Sequence, residues 1–396
     1  MKKILVIDDS ALMRRIIADI FEKDGRFMVA AVAKDGLEAL KMLENYKFDC
    51  LILDINMPKM NGIEFLEELQ RQNKKEKIIV VSTDTADGAD VTIKALEKGA
   101  MDFIQKPQNI LDARSPEFRN HFLALIKTAT ETSNLRIASP IAKPENIKET
   151  KNEIRSETKT ESRTETKNEQ KLENKEYKTE TKQKVKEPIR EVVASTPIKK
   201  TVVNGKKLVA IACSTGGPNA LQHIIPYIPA NLDAPVVIVQ HMPMGFTKSL
   251  AERLDDLSAI SVTEAEENET LKKGHVYIAR GGKHLRVEDG IYSSKLYYTD
   301  EPAREGVKPA ANYMYESLIE SGFDEIVCVV LTGMGQDGRI GIQNLAKENN
   351  IYVIAQSEQT CTVFGMPRAV ITNGLADEVV DLDSIAQKIT QRIGTC

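Results

Sequence analysis

The sequence predicts two α/β domains, each a doubly wound parallel sheet, joined by a long charged linker, with an antiparallel hairpin inserted in the second. Three observations predict this. Short apolar runs alternate with amphipathic segments over residues 1–127 and again over 205–396, the signature of repeated β-α units. Between them, over 128–204, the composition falls to Lys, Glu and Thr. At 396 residues the chain is also too long for one ordinary domain.

In the first domain the runs KILVID, MVAAVA, CLILDI, KIIVVS and MDFIQK read as strands. Leu12, Ile16 and Ile20 predict the apolar face of the first helix. The central segment has no glycine between Gly99 and Gly205 and no aromatic residue between Phe122 and Tyr177, and the triplet ETK recurs four times. Such a stretch cannot bury enough apolar surface to offset chain entropy, so it reads as a linker, and it lacks the heptads of a coiled coil. In the second domain KLVAIA, PVVIVQ, EIVCVV and IYVIAQ read as strands. The segment 275–298 alternates apolar and polar residues, and its turn residues Gly281–Gly282 and Asp289–Gly290 predict a hairpin or meander.

Composition excludes several classes. A formal net charge of −4 gives no electrostatic case for nucleic acid or an anionic membrane. No apolar stretch approaches the ~20 residues that span a bilayer. Asp8 and Asp9 interrupt the N-terminal apolar run too early for a secretory signal. Cys50, Cys213, Cys328, Cys361 and Cys396 are odd in number and lack metal-type spacing, which fits a reducing compartment. The expectation is a soluble cytoplasmic protein that neither binds nucleic acid nor inserts in a membrane.

The chemistry of the first domain lies at its strand ends. Asp8 and Asp9 end the first strand, Asp54 the third, Ser82 the fourth and Lys106 the fifth. In a doubly wound sheet these carboxyl ends converge on one crevice. Crowded carboxylates there call for a hard cation such as Mg²⁺. A carboxylate nucleophile, a hydroxyl and a lysine beside them suit phosphoryl transfer onto aspartate. One acid taken alone is more simply a helix cap; five such residues on four strand ends are not.

With DD at 8–9, D at 54 followed by MP at 57–58, Ser82 and KP at 106–107, residues 1–127 resemble a response-regulator receiver domain. The resemblance implies a flavodoxin-like fold and phosphorylation at Asp54 by a sensor histidine kinase of chemotaxis. It also implies Mg²⁺ held by Asp9, Asp54 and the backbone of Asn56 with Asp8 in the same pocket, and phosphate contacts from Ser82 and Lys106.

In the second domain the stretch IACSTGGPNAL follows an apolar strand and enters a helix. Gly216 and Gly217 permit a sharp turn and Pro218 suits a first helical turn. Such a turn can expose Ser214 as a nucleophile, or bind phosphate at a helix N-terminus. His241, ending the strand PVVIVQ, can reach the same sheet edge as a base; Asp337, in LTGMGQDG, can orient it. Backbone N–H groups around Met334 can supply an oxyanion hole. Cys213 reads as a packing residue beside the nucleophile, and His121, His223, His275 and His284 as structural or exposed.

Residues 205–396 resemble the catalytic domain of the chemotaxis protein-glutamate methylesterase (CheB) family, through STGGP (214–218), QHMP (240–243), FT (246–247), LTGMGQDG (331–338) and FGMPRA (364–369). Ala212–Cys213 stand where that family usually has Gly-Ala, and the linker is longer than usual. The resemblance implies a phosphorylation-activated Ser-His-Asp hydrolase, with Thr215 supporting the site and no cofactor in the catalytic domain. Its substrates would be glutamate methyl esters, and glutamines, on methyl-accepting chemoreceptors. Rival expectations are a DNA-binding response regulator, a non-catalytic adaptor and an esterase for another substrate.

Overall fold

The structure, a computed structural model, describes residues 1–83, 85–107, 109–132, 204–290 and 293–396. The expected linker lies outside the described residues from 133 to 203. In the first domain the chain order is β1 (Lys2–Ile7), α1 (Ala11–Asp24), β2 (Phe27–Ala33), α2 (Gly36–Asn45), β3 (Cys50–Asp54), α3 (Gly62–Arg71), β4 (Ile78–Ser82), α4 (Ala86–Glu97), β5 (Asp102–Gln105), α5 (Ile110–Ala113) and α6 (Pro116–Glu131). The strands form one parallel sheet in the order β2-β1-β3-β4-β5. β3 and β4 are buried along their whole length because helices cover both faces, which is why CLILD and IIVVS carry no alternation. The last helix runs to Glu131, beyond the residue at which the apolar pattern of the sequence stops.

One helix face differs from expectation. Leu12 is exposed, and α1 buries Met13, Ile16, Ile17, Ile20 and Phe21 instead. Leu12 satisfies the i, i+4 spacing with Ile16, but Met13 does so with Ile17 and lies nearer the centre of the stripe. Ser10 fixes the start of the helix, its hydroxyl accepting from the Met13 N–H at 3.3 Å.

The second domain comprises β6 (Lys207–Cys213), α7 (Gly217–Ile224), β7 (Val236–Gln240), α8 (Phe246–Leu257), β8 (Ser261–Glu264), β9 (His275–Ile278), β10 (His284–Glu288), β11 (Lys295–Thr299), α9 (Ala311–Ser317), β12 (Glu325–Val330), α10 (Arg339–Glu348), β13 (Ile351–Gln356), α11 (Met366–Thr372), β14 (Glu378–Val380) and α12 (Leu382–Ile393). Seven strands form a parallel sheet in the order β14-β13-β12-β6-β7-β9-β8. The predicted antiparallel insertion is present as β10–β11 alone. HVYI does not belong to it: β9 joins the parallel sheet between β7 and β8, and Gly281–Gly282 carries the chain out of that sheet. Alternation in the sequence marks strands without naming their partners.

The order β12-β6-β7 is the consequence that matters for chemistry. It sets three strand ends side by side, and each is followed by one of the motifs singled out in the sequence.

Candidate active site

Ser214 leaves β6 on a turn that only glycine can complete. Gly216 has φ 76°, in the left-handed region, and is the N-cap of α7. A side chain there would also run into Thr362. The turn is fastened from three sides. The Ser214 N–H donates to the Thr332 carbonyl at 3.0 Å, and the His241 N–H to the Cys213 carbonyl at 3.1 Å. Gln240 Nε2 donates to the carbonyls of Ser214 (3.1 Å) and His241 (3.2 Å). Gln240 and Thr332, buried polar residues to which the sequence alone assigns no role of their own, therefore hold the Ser214 turn against the end of β7.

His241 and Asp337 meet as expected, with Nε2 and Oδ2 2.8 Å apart. Burial pushes the Asp337 carboxyl up, but the His241 ring and the backbone N–H groups of Asn312 and Ala311 outweigh it and hold its pKa below the usual value. A carboxylate only accepts, so Nε2 carries the proton toward Asp337. The other ring nitrogen, Nδ1, is buried without a hydrogen-bond partner among the described residues. The Ser214 hydroxyl, partly exposed, likewise makes no hydrogen bond among the described residues. The N–H groups of Thr215 and Met334 are free of backbone acceptors as well. Cys213 is fully buried and burial raises its thiol pKa, so the thiolate that a cysteine nucleophile needs is disfavoured.

The first domain lies against this site. The Thr128 hydroxyl donates to Met334 Sδ at 3.0 Å. The Thr215 hydroxyl faces Asp102 of β5 and draws its pKa down against the effect of burial. The rings of Phe103 and Phe246 pack with centroids 4.6 Å apart. Arg253 of α8 pairs with Glu97 of α4 through Nε at 2.5 Å and Nη2 at 3.2 Å. An open cleft of about 760 Å³ beside Met334 has Thr128 and Glu131 from the first domain on one wall and Phe364 and Arg368 on the other.

The second constellation is the acidic crevice. One oxygen from each of Asp8, Asp9 and Asp54 lies within 4.8 Å of the others. Burial and the Asp54 charge raise the Asp8 pKa to about 6, and burial raises that of Asp54, against the pull of Lys106 in both cases. Lys106 Nζ is 2.6 Å from Asp54 Oδ2 and 3.7 Å from Asp8 Oδ2, and the latter oxygen is buried with no hydrogen-bond partner among the described residues. An all-oxygen set with an unsatisfied buried carboxylate oxygen fits a hard divalent cation. The Asn56 N–H turns back to Asp54 Oδ1 at 3.3 Å. Ser82 stands at the end of β4 beside this crevice, but its hydroxyl bonds the Gly88 carbonyl and the Thr92 hydroxyl, both on α4.

Comparison with known proteins finds a relative for each domain. A profile described as CheB methylesterase matches residues 209–389, and one described as response regulator receiver domain matches 4–114. The protein-glutamate methylesterase/protein-glutamine glutaminase of Geobacillus kaustophilus is 36% identical over 392 residues, covering 99% of each chain. A second such protein, from Nitratidesulfovibrio vulgaris, is 42% identical over 389 residues and covers 98% of each. The crystal structure of the Thermotoga maritima CheB methylesterase catalytic domain is 42% identical, with a TM-score of 0.46, covering 48% of this chain and 99% of that one. Among the described residues no helix is long and apolar enough to cross a membrane. With two matched domains in the same order and near-complete coverage by relatives above 35% identity, the chain belongs to the CheB family of protein-glutamate methylesterase/protein-glutamine glutaminases.

Proposed function

We propose that this chain is a cytoplasmic, phosphorylation-regulated hydrolase that demethylates glutamate methyl esters, and deamidates glutamines, on chemoreceptors during chemotactic adaptation. The observation that carries the hydrolytic half is the 2.8 Å pair of His241 Nε2 and Asp337 Oδ2, with Nδ1 left unpartnered at the nucleophile turn.

Nδ1 takes the proton from the Ser214 hydroxyl as Oγ attacks the ester carbonyl carbon. The base is thus the opposite ring nitrogen from that of the chymotrypsin-type triad, with the same division of roles. Asp337 holds the Nε2 proton and stabilises the imidazolium. The oxyanion receives the N–H of Met334 and the N–H of Thr215, the residue after the nucleophile; each such donor is worth about 3 kcal/mol. The imidazolium returns its proton to the leaving oxygen as the carbon–oxygen bond breaks, releasing methanol. Water, deprotonated by Nδ1, then attacks the acyl-enzyme and restores glutamate and the Ser214 hydroxyl. With a glutamine substrate the leaving group is ammonia.

In the first domain Asp54 accepts a phosphoryl group from a chemotaxis sensor histidine kinase, with Lys106 and Ser82 contacting its oxygens. Mg²⁺ bound by Asp8, Asp9, Asp54 and the Asn56 carbonyl would neutralise charge there. Before phosphorylation the domain covers the catalytic turn: Thr128 caps Met334, and Asp102 holds the Thr215 hydroxyl. Phosphorylation shifts the balance toward a separated state.

The test is methanol release from methyl-labelled receptor membranes by the full chain, with and without a small phosphodonor and Mg²⁺. Release that Ser214→Ala abolishes, and that the phosphodonor raises in wild type but not in Asp54→Ala, is expected. No release from well-folded protein would sink the substrate assignment.

A further inference from the structure

Asp337 reaches His241 on a turn that cannot cap its own helix. Gly338, at φ 93°, is the N-cap of α10 and has no side chain to accept from the first-turn N–H groups. The Gly338 N–H reaches back to Asp337 Oδ1 at 3.0 Å, but a further acceptor comes from a different helix. Asn312 Oδ1 takes the N–H of Gly338 at 3.1 Å and that of Gly341 at 2.7 Å. The exchange is reciprocal. α9 also lacks a side-chain cap from its own N-cap residue, Ala310. Asp337 supplies it, Oδ2 accepting from the Ala311 N–H at 2.5 Å and Oδ1 from the Asn312 N–H at 3.0 Å. Asn312 Nδ2 donates to Glu305 Oε1 at 3.0 Å, so both ends of the amide are engaged. The side chain is fully buried, and the helices touch so closely that a Cβ at Gly341 would lie 2.9 Å from the Asn312 Cα.

We propose that Asn312 is a positioning residue for the hydrolytic reaction: by cross-capping α10 while Asp337 caps α9, it fixes the carboxylate against His241 Nε2. This rests on the triad reading above and deepens it. Asn312 acts through Asp337 and bonds neither Ser214 nor His241. Without it, the Gly341 N–H loses its buried acceptor, the Gly338 N–H keeps only Asp337 Oδ1, and the turn carrying Asp337 relaxes. A carboxylate shifted by an ångström no longer holds the imidazolium that forms in the transition state. The imidazolium then loses its proton more readily. Asn312→Asp behaves differently: its carboxylate keeps the acceptor for both N–H groups, gives up the donor to Glu305, and adds negative charge beside the triad.

The experiment measures kcat, KM, their pH dependence and thermal unfolding for the phosphodonor-treated full chain. The variants are Asn312→Ala and Asn312→Asp, with Asp337→Ala and Ser214→Ala as controls. Asn312→Ala is expected to lower kcat by about 10–100-fold with KM little changed. The acid limb of its kcat/KM profile should move to lower pH, because His241 holds its proton less well. Asn312→Asp should recover most of kcat with the acid limb moved the other way. A merely structural asparagine would change the melting temperature and the active fraction and leave the limb in place. Folded Asn312 variants with wild-type kcat and unmoved limbs, beside a dead Ser214→Ala, overturn this inference alone. Equal activity in Ser214→Ala and wild type overturns the triad reading, and this inference with it. If Asn312→Ala does not fold, the direction of the Asn312→Asp limb decides.

Discussion

Asp102 lies where the first domain meets the nucleophile turn, and its ionisation should work against that contact. Burial pushes its pKa from 3.8 up to about 6, although the Thr215 hydroxyl and the Phe103 N–H pull it down. The Phe103 N–H is 2.8 Å from Oδ1 and remains with the first domain; the Thr215 hydroxyl leaves when the domains part. Parting returns the carboxylate to water and its pKa toward the ordinary value. The raised value in the closed form means that the charged state is the penalised one. The penalty is absent below an ordinary carboxylate pKa of about 4, grows as pH rises toward the raised value, and is complete above it. Two pKa units at about 1.4 kcal/mol each set an upper limit of about 3 kcal/mol on closure at neutral pH, or about 100-fold in the fraction open. A neutral amide in place of the carboxylate would keep the acceptor for the Phe103 N–H without the charge, so Asp102→Asn should tighten closure. Asp102 opens β5, whereas Lys106 follows its far end, and Asp102 is outside the acidic crevice, which leaves the phosphoryl site intact. The assay is basal methanol release by the unphosphorylated full chain near neutral pH, divided by the phosphodonor-stimulated rate of the same preparation. That ratio should fall in Asp102→Asn, by as much as about 100-fold. In wild type it should also fall as pH drops from about 7 to about 5, while the variant stays flat. A ratio equal to or above wild type, together with a pH-independent wild-type ratio, would refute the reasoning.

Arg253→Ala removes a forked but partly exposed pair with Glu97, worth about 0.5–1 kcal/mol, so basal release should rise about 2–5-fold with the stimulated rate unchanged; an unchanged basal rate would show the pair contributes nothing to closure. Glu325 is fully buried between Arg392, whose Nε is 2.9 Å away, and Lys207 at 3.8 Å. Glu325→Gln leaves these cations without their counter-charge and should cost about 3–5 kcal/mol in urea unfolding, against a loss under about 1 kcal/mol if they find other partners. Cys213 should resist alkylation in the native enzyme while exposed Cys396 reacts, and labelling mapped by mass spectrometry checks the order; early modification of Cys213 would contradict the burial of its thiol.

The strands of both sheets were legible because parallel strands buried on two faces must be continuous apolar runs, as IIVVS and EIVCVV are. Their ends were legible for the same reason: the apolar run stops at or just before the residue at the crevice, as at Asp54, Ser82, Ser214 and, one residue past Gln240, His241. Pairing partners were less so. HVYI carries the same alternation whether it turns back on β10 or enters the large sheet, and burial against β7 settles it. The short edge strands β8 and β14 carry too few apolar residues to register.

What the sequence could not disclose is how His241 and Asp337 are held. Asn312 and Asp337 are separated by a strand and several turns, and the bonds between them run from side chains to backbone N–H groups. Backbone donors are the same for every residue, so such a bond leaves no pattern in composition or periodicity. One local sign existed: two helices starting at Ala310 and Gly338, neither able to cap itself, each need an acceptor from elsewhere. Two uncapped buried helix ends in a well-packed domain imply acceptors nearby, and the shortest way to satisfy both is for each to cap the other. Asp337, the aspartate of the proposed triad, is one of those two caps. Its position is therefore set by the same bonds that begin two helices, and disturbing it costs the fold as well as the reaction.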